Sequence, residues 1–144
     1  MVDVQKVADV MGGPSVLGRA IRSLDQLVEA VEKGLPKGCL RNTASRVVAD
    51  RAEQRRLIYR VVPEATFKRR RERLSLRESE RTERLARVVA AAEYVWDRPE
   101  NARRFLSAPH PQLRGRAPLN AAMTELGARQ VELILDKIFH GLPA

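Results

Sequence analysis

The sequence contains few of the residues from which catalytic and metal sites are usually built. Its 144 residues include one cysteine and two histidines. Because Cys39 is alone, neither an intramolecular disulfide nor a cysteine zinc site can form. His110 stands between two prolines and His140 near the end of the last predicted helix, so both are interpreted as structural. The sequence therefore predicts no metal site.

Motifs of common enzymes are missing as well. Gly12 and Gly13 are not followed by the GxxxxGK-S/T pattern of a phosphate-binding loop. No GxSxG nucleophile elbow occurs, and no serine or threonine stands within motif range of a base. We predict that the protein is not an enzyme and uses no cofactor.

Long apolar runs and targeting signals are also absent from the sequence. No apolar run approaches the roughly 18 residues that a membrane span needs. The N-terminus has no basic segment followed by an apolar one. We therefore expect a cytoplasmic protein without membrane association.

The composition that remains is typical of helices. Leu, Val, Ala, Arg and Glu dominate, and β-branched runs with strict alternation do not occur. This favours an all-α fold. We predict a helical segment of unclear role at 1–23, a helix-turn-helix bundle at 24–74, a long connecting helix at 75–96 and a small helical domain at 97–144.

Capping residues and helix breakers give the predicted helix boundaries. Ser75 and Glu78 match the capping-box pattern at the start of the longest helix. Pro14 is suited to the first turn of a helix that continues to Ile21. Glycines end several helices. The predicted N-caps are Ser23, Asp50, Asp97 and Thr124, and the predicted stops are Gly12, Gly34 and Gly141.

Apolar periodicity indicates which side chains are buried. In the helix that begins after Ser23, the predicted buried positions are Leu24, Leu27, Val28 and Val31. In the last helix, the apolar stripe is Val131, Ile134, Leu135 and Ile138.

Positive charge is concentrated in the middle of the chain. The formal net charge is +9, and residues 50–96 carry 13 basic and 8 acidic side chains. Basic patches attract nucleic acid, and a recognition helix places its first residues on bases and its cations on phosphates. We take residues 63–73 as the candidate recognition helix. Its candidate DNA-binding residues are Thr66, Lys68, Arg69, Arg70, Arg71 and Arg73.

Two features of this basic segment allow more than one interpretation. Arg69 and Arg73 are four residues apart and would share one helix face, with Lys68 and Arg71 on the neighbouring face. An arginine-rich helix surface without any ligand would show the same charge run. Phe67 is interpreted as a core anchor rather than as a base-stacking residue.

An ordered set of motifs gives the clearest indication of function. The C-terminal part contains ARRFL at 102–106, PHPQLRGRAPL at 109–119 and TELGARQVELIL at 124–135, before Gly141. Upstream, TFKRR at 66–70 precedes LSLRESER at 74–81. In this order the motifs resemble the Xre/MbcA/ParS family of antitoxins over about residues 24–144. Two positions depart from the family pattern, since Phe105 stands where Trp is usual and His110 where Asn is common.

The resemblance implies a type II antitoxin with two activities. Its C-terminal domain would cover the active site of a RES-domain toxin, which consumes NAD. Its helix-turn-helix would repress its own operon by binding operator DNA as a homodimer. In the C-terminal loop, the leucines would serve the core and the arginines the toxin. The candidate toxin-binding residues are Arg114, Gly115, Arg116, Asn120, Glu125, Arg129, Glu132 and Lys137.

Two other functions fit the same sequence. An orphan helix-turn-helix regulator would bind an operator without any toxin partner. A scaffold or general RNA-binding protein would bind nucleic acid with strong salt dependence and no sequence preference.

Overall fold

A computed structural model describes residues 2–144 and confirms the predicted all-α class, since this part of the chain contains no strand. Ten α-helices and one 3₁₀ turn make up its regular structure. The helices are α1 Val4–Val10, α2 Pro14–Leu17, α3 Leu24–Lys33, α4 Lys37–Val47, α5 Arg51–Val61, α6 Glu64–Arg69, α7 Leu76–Val95, α8 Pro99–Ser107, α9 Pro118–Ala121 and α10 Glu125–Phe139, with the 3₁₀ turn at Pro111–Leu113.

Most of the predicted caps form the hydrogen bonds expected of them. The side chains of Ser23, Asp50 and Thr124 each accept a bond from the backbone N–H three residues later. Both bonds of the capping box at Ser75 and Glu78 are present. Each bond satisfies a backbone donor that the first helical turn leaves open, so local sequence alone fixes these four starts.

Two predicted boundaries outside the basic segment are wrong. α2 ends at Leu17 because Gly18 adopts the left-handed conformation, so Ile21 lies outside the helix, although it is buried. The N-cap of α8 is Arg98 and not Asp97, and no side chain caps this helix. Pro99 already fixes the first turn of α8, which removes one donor that a cap would otherwise satisfy.

The longest helix, α7, lies at the centre of the core. It packs against α1, α3, α4 and α5 on the N-terminal side and against α8 and α10 on the C-terminal side. Its buried face is built mainly of Leu85, Val88 and Val89, with Ala86 between them and a run of three alanines after them. The residues predicted to connect two domains therefore form the shared core of both. α1 also contributes buried side chains to this core.

The apolar face of α3 is only partly buried, contrary to prediction. Leu27 is buried, but Leu24 and Val28 are 68% and 43% exposed. Together with Leu76 at the start of α7 and Val4 of α1, they line an open groove, which we call the apolar groove. Periodicity identifies the apolar face of a helix correctly, but it does not show whether another element covers that face.

Candidate functional surfaces

The predicted recognition helix is shorter than the sequence indicated. α6 ends at Arg69, and the chain continues through Arg70–Arg73 without helical structure. Arg73 instead forms an isolated antiparallel bridge with Pro36. The prediction that Arg69 and Arg73 share a helix face is therefore wrong, and so is the pairing of Lys68 with Arg71. The chain leaves the helix because the backbone of residues 72–74 bonds to the α3–α4 connection, with Leu74 N–H donating to the Leu35 carbonyl at 2.8 Å.

Two of the predicted DNA-binding arginines are held by contacts within the molecule. Arg70 donates two hydrogen bonds of 3.0 Å to the carboxylate of Glu78. Arg73 donates one of 2.8 Å to the carbonyl oxygen of Gly34. Burial alone would raise the pKa of Glu78, but the bonds from Arg70 and from the Ser75 amide hold it below its ordinary value. Both arginines therefore fasten the segment after α6 to the core.

The other four predicted DNA-binding residues differ in their exposure and in their contacts. Lys68 pairs with Glu64 one turn earlier, at 2.7 Å. Arg69 and Arg71 are exposed, and Thr66 is half-buried within α6. Phe67 is buried and meets Tyr59 edge-on, with 6.2 Å between ring centroids, which confirms its assignment to the core.

A larger basic surface lies beside α6 and was missed by the sequence interpretation. A cavity of about 480 Å³ opens between α4, α5 and α6. We call it the basic cleft; the cations that line it are Lys37, Arg41, Arg51, Arg55 and Lys68. The signal was present, because Lys37 and Arg41 on α4, and Arg51 and Arg55 on α5, are each spaced four residues apart. It was overlooked because these cations are spread over residues 37–68, whereas the charge run is concentrated after residue 67.

Lys37 is the most constrained cation of the basic cleft. Its ammonium group donates to the carbonyl oxygen of Arg70 at 2.9 Å and lies 4.4 Å above the ring centroid of Phe67. The guanidinium of Arg41 lies 5.3 Å from the same centroid. Partial burial and the nearby Arg41 both lower the pKa of Lys37. The cleft therefore brings like charges close together over an aromatic floor.

The C-terminal loop, residues 108–117, is closed by a hydrogen bond from Arg116. His110 caps the 3₁₀ turn by accepting a bond from Gln112 N–H at 3.1 Å. Arg114 has φ 58° and Gly115 has φ 80°, so both are left-handed. Leu113 is buried, and Arg116 turns back to donate to its carbonyl oxygen at 3.0 Å. The expected division of roles is thus visible in part, because Leu113 serves the core and Arg114 is exposed, while Arg116 closes the loop.

Several other candidate toxin-binding residues are also held by internal contacts. Glu125 pairs with Arg84 at 3.0 Å and with Arg87 at 3.6 Å, and Glu132 lies 3.3 Å from Arg87. These groups join α10 to α7. Asn120 accepts a 2.7 Å hydrogen bond from Arg60 of α5, which joins the two halves of the molecule directly.

Glu83 lies beside the same charged cluster and belongs to the α7–α10 junction. Its carboxylate is 3.7 Å from Arg87. Burial raises the pKa of Glu83, although Arg87 acts in the opposite direction, and the neighbouring Glu132 and Glu125 raise it further. The acidic groups on this side of α10 are therefore used mainly to position the helix.

The outer face of α10 remains open to solvent. Leu126 and Leu133 are 70% and 62% exposed, and Arg129 and Lys137 lie on the same stripe. Within residues 2–144, neither Arg129 nor Lys137 forms an ion pair. Leu126 and Leu133 were not among the sequence candidates, because both stand outside the main apolar stripe of this helix. The signal that identifies them is the presence of two large apolar side chains on the side of α10 that faces away from the core.

The part of the chain that the structure describes offers neither a metal cluster nor a membrane span. Among residues 2–144, no group of three or more His, Cys, Asp or Glu side chains is placed to hold a metal ion. None of the helices described is both long and apolar enough to cross a bilayer. Cys39 is buried, and burial raises the pKa of its thiol to about 12, although Arg73 acts in the opposite direction.

Comparisons with known proteins match both halves of the chain. The model of the antitoxin Xre-like helix-turn-helix domain matches residues 26–87. The model of the antitoxin Xre/MbcA/ParS C-terminal toxin-binding domain matches residues 91–141. A curated protein named antitoxin Xre, from Pseudomonas putida strain KT2440, is 37% identical over 84 residues. That alignment covers 56% of this chain and 53% of the relative, so the chain spans about half the length of the curated relative it matches.

Proposed function

The chain belongs to the Xre family of antitoxins, and from this premise we propose that it is the antitoxin of a type II toxin–antitoxin system. The toxin in this proposal is a RES-domain protein that consumes NAD. The antitoxin acts in the cytoplasm by covering the entrance to the toxin's active site. It needs no catalytic group of its own, because excluding NAD from that site is sufficient for inhibition.

The open outer face of α10 is the observation that carries the toxin-binding part of the proposal. It lies within the region matched by the toxin-binding domain model. Leu126 and Leu133 are apolar anchors, and Arg129 and Lys137 provide a polar rim around them. This is the usual anatomy of a protein–protein interface. Arg114 and Gly115 extend the same domain's exposed surface at the loop.

The second part of the proposal is repression of the chain's own operon. It is supported by the match of residues 26–87 to a helix-turn-helix domain model and by the basic charge around α6. We propose that two copies bind operator DNA as a homodimer, because paired recognition helices need half-sites related by two-fold symmetry.

Co-expression with the neighbouring reading frame tests the toxin-binding part. Leu126→Asp and Leu133→Asp together would place two charges on the outer face of α10 without touching the core. We expect this variant to lose affinity for the toxin by about 100-fold or more, since two anchor side chains are removed. Growth and cellular NAD should fall with the variant and be maintained with the unaltered antitoxin. The exposed pair Arg51→Gln and Arg55→Gln is the control, which should still neutralise the toxin.

Three outcomes of this experiment have different meanings. If the neighbouring product neither binds nor becomes less toxic, the antitoxin function is wrong and an orphan regulator is favoured. If it is neutralised but cellular NAD is unaffected by the toxin, the assignment of a RES-domain partner is wrong. If the aspartate variant neutralises fully, toxin binding occurs elsewhere than on the outer face of α10.

A further inference from the structure

The basic cleft has an excess of positive charge that the molecule itself does not neutralise. Lys37, Arg41, Arg51 and Arg55 form no ion pair with any carboxylate among residues 2–144, and no acidic residue lines the cavity. Lys68 alone is paired, with Glu64. Bringing several like charges to one concave surface is unfavourable unless an anion is bound there.

The arrangement of these cations matches a ligand with regularly spaced negative charges. Arg51 and Arg55 lie one turn apart on α5, about 6 Å along the helix axis. Lys37 and Arg41 form a second row of the same spacing on α4. Two rows facing one cleft suit a chain of phosphates better than a single carboxylate, and the arginine guanidinium binds phosphate through two parallel hydrogen bonds.

The aromatic floor of the cleft favours duplex DNA over a single strand. Proteins that bind single strands stack unpaired bases on exposed aromatic rings. Here Phe67 is buried, its face is covered by Lys37, and Tyr59 meets it edge-on. Because Phe67 is buried and covered by Lys37, its ring offers no stacking surface to an unpaired base, and the cations that surround it suit the phosphate backbone.

We propose that the basic cleft, rather than α6 alone, is the principal site that binds the phosphate backbone of duplex DNA. The inference rests on the proposed operator binding and extends it. Arg41, Arg51 and Arg55 supply affinity that is independent of sequence, and Lys37 and Lys68 are the other two cations that line the cleft. The first turn of α6, around Glu64 and Thr66, is left to contact base edges. The cleft then determines the affinity for DNA, and the neighbouring helix α6 determines the preference for sequence.

Titration of DNA binding against salt tests the proposal. The probes are a duplex containing the promoter upstream of the chain's own gene, a scrambled duplex of the same length and composition, and a single-stranded RNA of that length. We expect Arg51→Gln with Arg55→Gln to reduce the slope of log K against log salt by about 2, since each phosphate contact contributes about 0.9. The ratio of promoter to scrambled binding should not change.

Arg22→Gln with Arg104→Gln is the matched control, because it removes two exposed arginines that lie outside the cleft. Its salt slope should equal that of the unaltered chain. If the cleft variant keeps its slope while the unaltered chain binds the promoter, the cleft assignment is overturned and operator binding stands. If the unaltered chain binds neither duplex, both are overturned. Preferential binding of the RNA would overturn the assignment to duplex DNA.

Discussion

Glu78 forms four hydrogen bonds with Arg70 and Ser75 within the helix-turn-helix half. It is 7% exposed, and its carboxylate accepts two bonds from Arg70 and one of 2.8 Å from the backbone N–H of Ser75. Its own N–H donates to the Ser75 hydroxyl, which completes the capping box. Glu78 therefore connects the start of α7 to the segment that follows α6.

The depressed pKa of Glu78 predicts an acid-dependent contribution to stability. Glu78→Gln keeps the shape and the cap but removes the charge that pairs with Arg70. We expect it to lower the free energy of unfolding by between about 1 and 2 kcal/mol at pH 7. Because the folded pKa lies below the unfolded value of about 4.3, this stabilisation is present above that pH and is lost as pH falls through the folded pKa.

Urea unfolding at pH 7 and at pH 3 measures this effect. The difference between the unaltered protein and Glu78→Gln should be smaller at pH 3. Glu53→Gln is the matched control, because Glu53 also stands three residues after an N-cap, is exposed and, over the described residues, forms no ion pair. A loss of stability that is equally large at both pH values would show that the charge of Glu78 contributes nothing.

Neighbouring arginines show how far a residue's role follows from sequence. The basic run after Phe67 correctly indicated a cationic region, because charge is a property of composition. Arg70 and Arg73, however, bond to Glu78 and Gly34, and the partner in the second case is a carbonyl oxygen 39 residues away. Only the fold brings that oxygen within reach. The same holds for Arg51 and Arg55, whose neighbours across the basic cleft are on α4.

At the scale of elements, the junction of α9 and α10 depends on one glycine. Gly127 lies in the first turn of α10 and is buried. A Cβ atom at this position would overlap the carbonyl oxygen of Ala121, which is the last residue of α9. The two helices can approach this closely only because residue 127 has no side chain.

Gly127→Ala is therefore expected to force α9 and α10 apart. The overlap is with backbone, which cannot move aside as a flexible side chain could, so we expect a loss of about 3 kcal/mol or more in the free energy of unfolding. Thermal and chemical unfolding followed by circular dichroism measure it. Arg129→Ala, an exposed position on the same helix, should change stability by less than about 0.5 kcal/mol. Equal stability of the two variants would show that the junction relaxes freely.

Helix starts could be predicted from sequence far better than the extent of α6. Ser23, Asp50, Ser75 and Thr124 cap their helices through bonds to residues three positions away, so the information is local. The end of α6 is decided by the bridge between Arg73 and Pro36, which depends on tertiary structure. The exposure of Leu24 and Val28 on α3 was missed for a related reason, since periodicity does not distinguish a face that packs internally from one left open.

At the scale of the whole molecule, the apolar groove is an exposed apolar surface next to the predicted helix-turn-helix half. Leu24, Val28 and Leu76 are between 43% and 68% exposed, and the cavity they border measures about 560 Å³. Glu32 and Glu80 stand at its border and, within residues 2–144, have no ion-pair partner. Arg84 and Arg87 line the same cavity, so a second copy related by a two-fold axis can bring its arginines opposite Glu32 and Glu80.

We expect the apolar groove to be the contact surface of the proposed homodimer. A two-fold interface brings the same patch of both copies together, so each substitution acts twice and its effect is doubled. Leu24→Glu with Leu76→Glu should therefore convert a dimer into a monomer, as measured by light scattering after size-exclusion chromatography.

Stability of the monomer should change little, because both side chains are already exposed to water. Promoter binding should weaken much more than binding of the proposed toxin, since only the operator requires two recognition helices at fixed spacing. A variant that remains dimeric would place the interface elsewhere, and an unaltered protein that is monomeric at assay concentrations would contradict the homodimer itself.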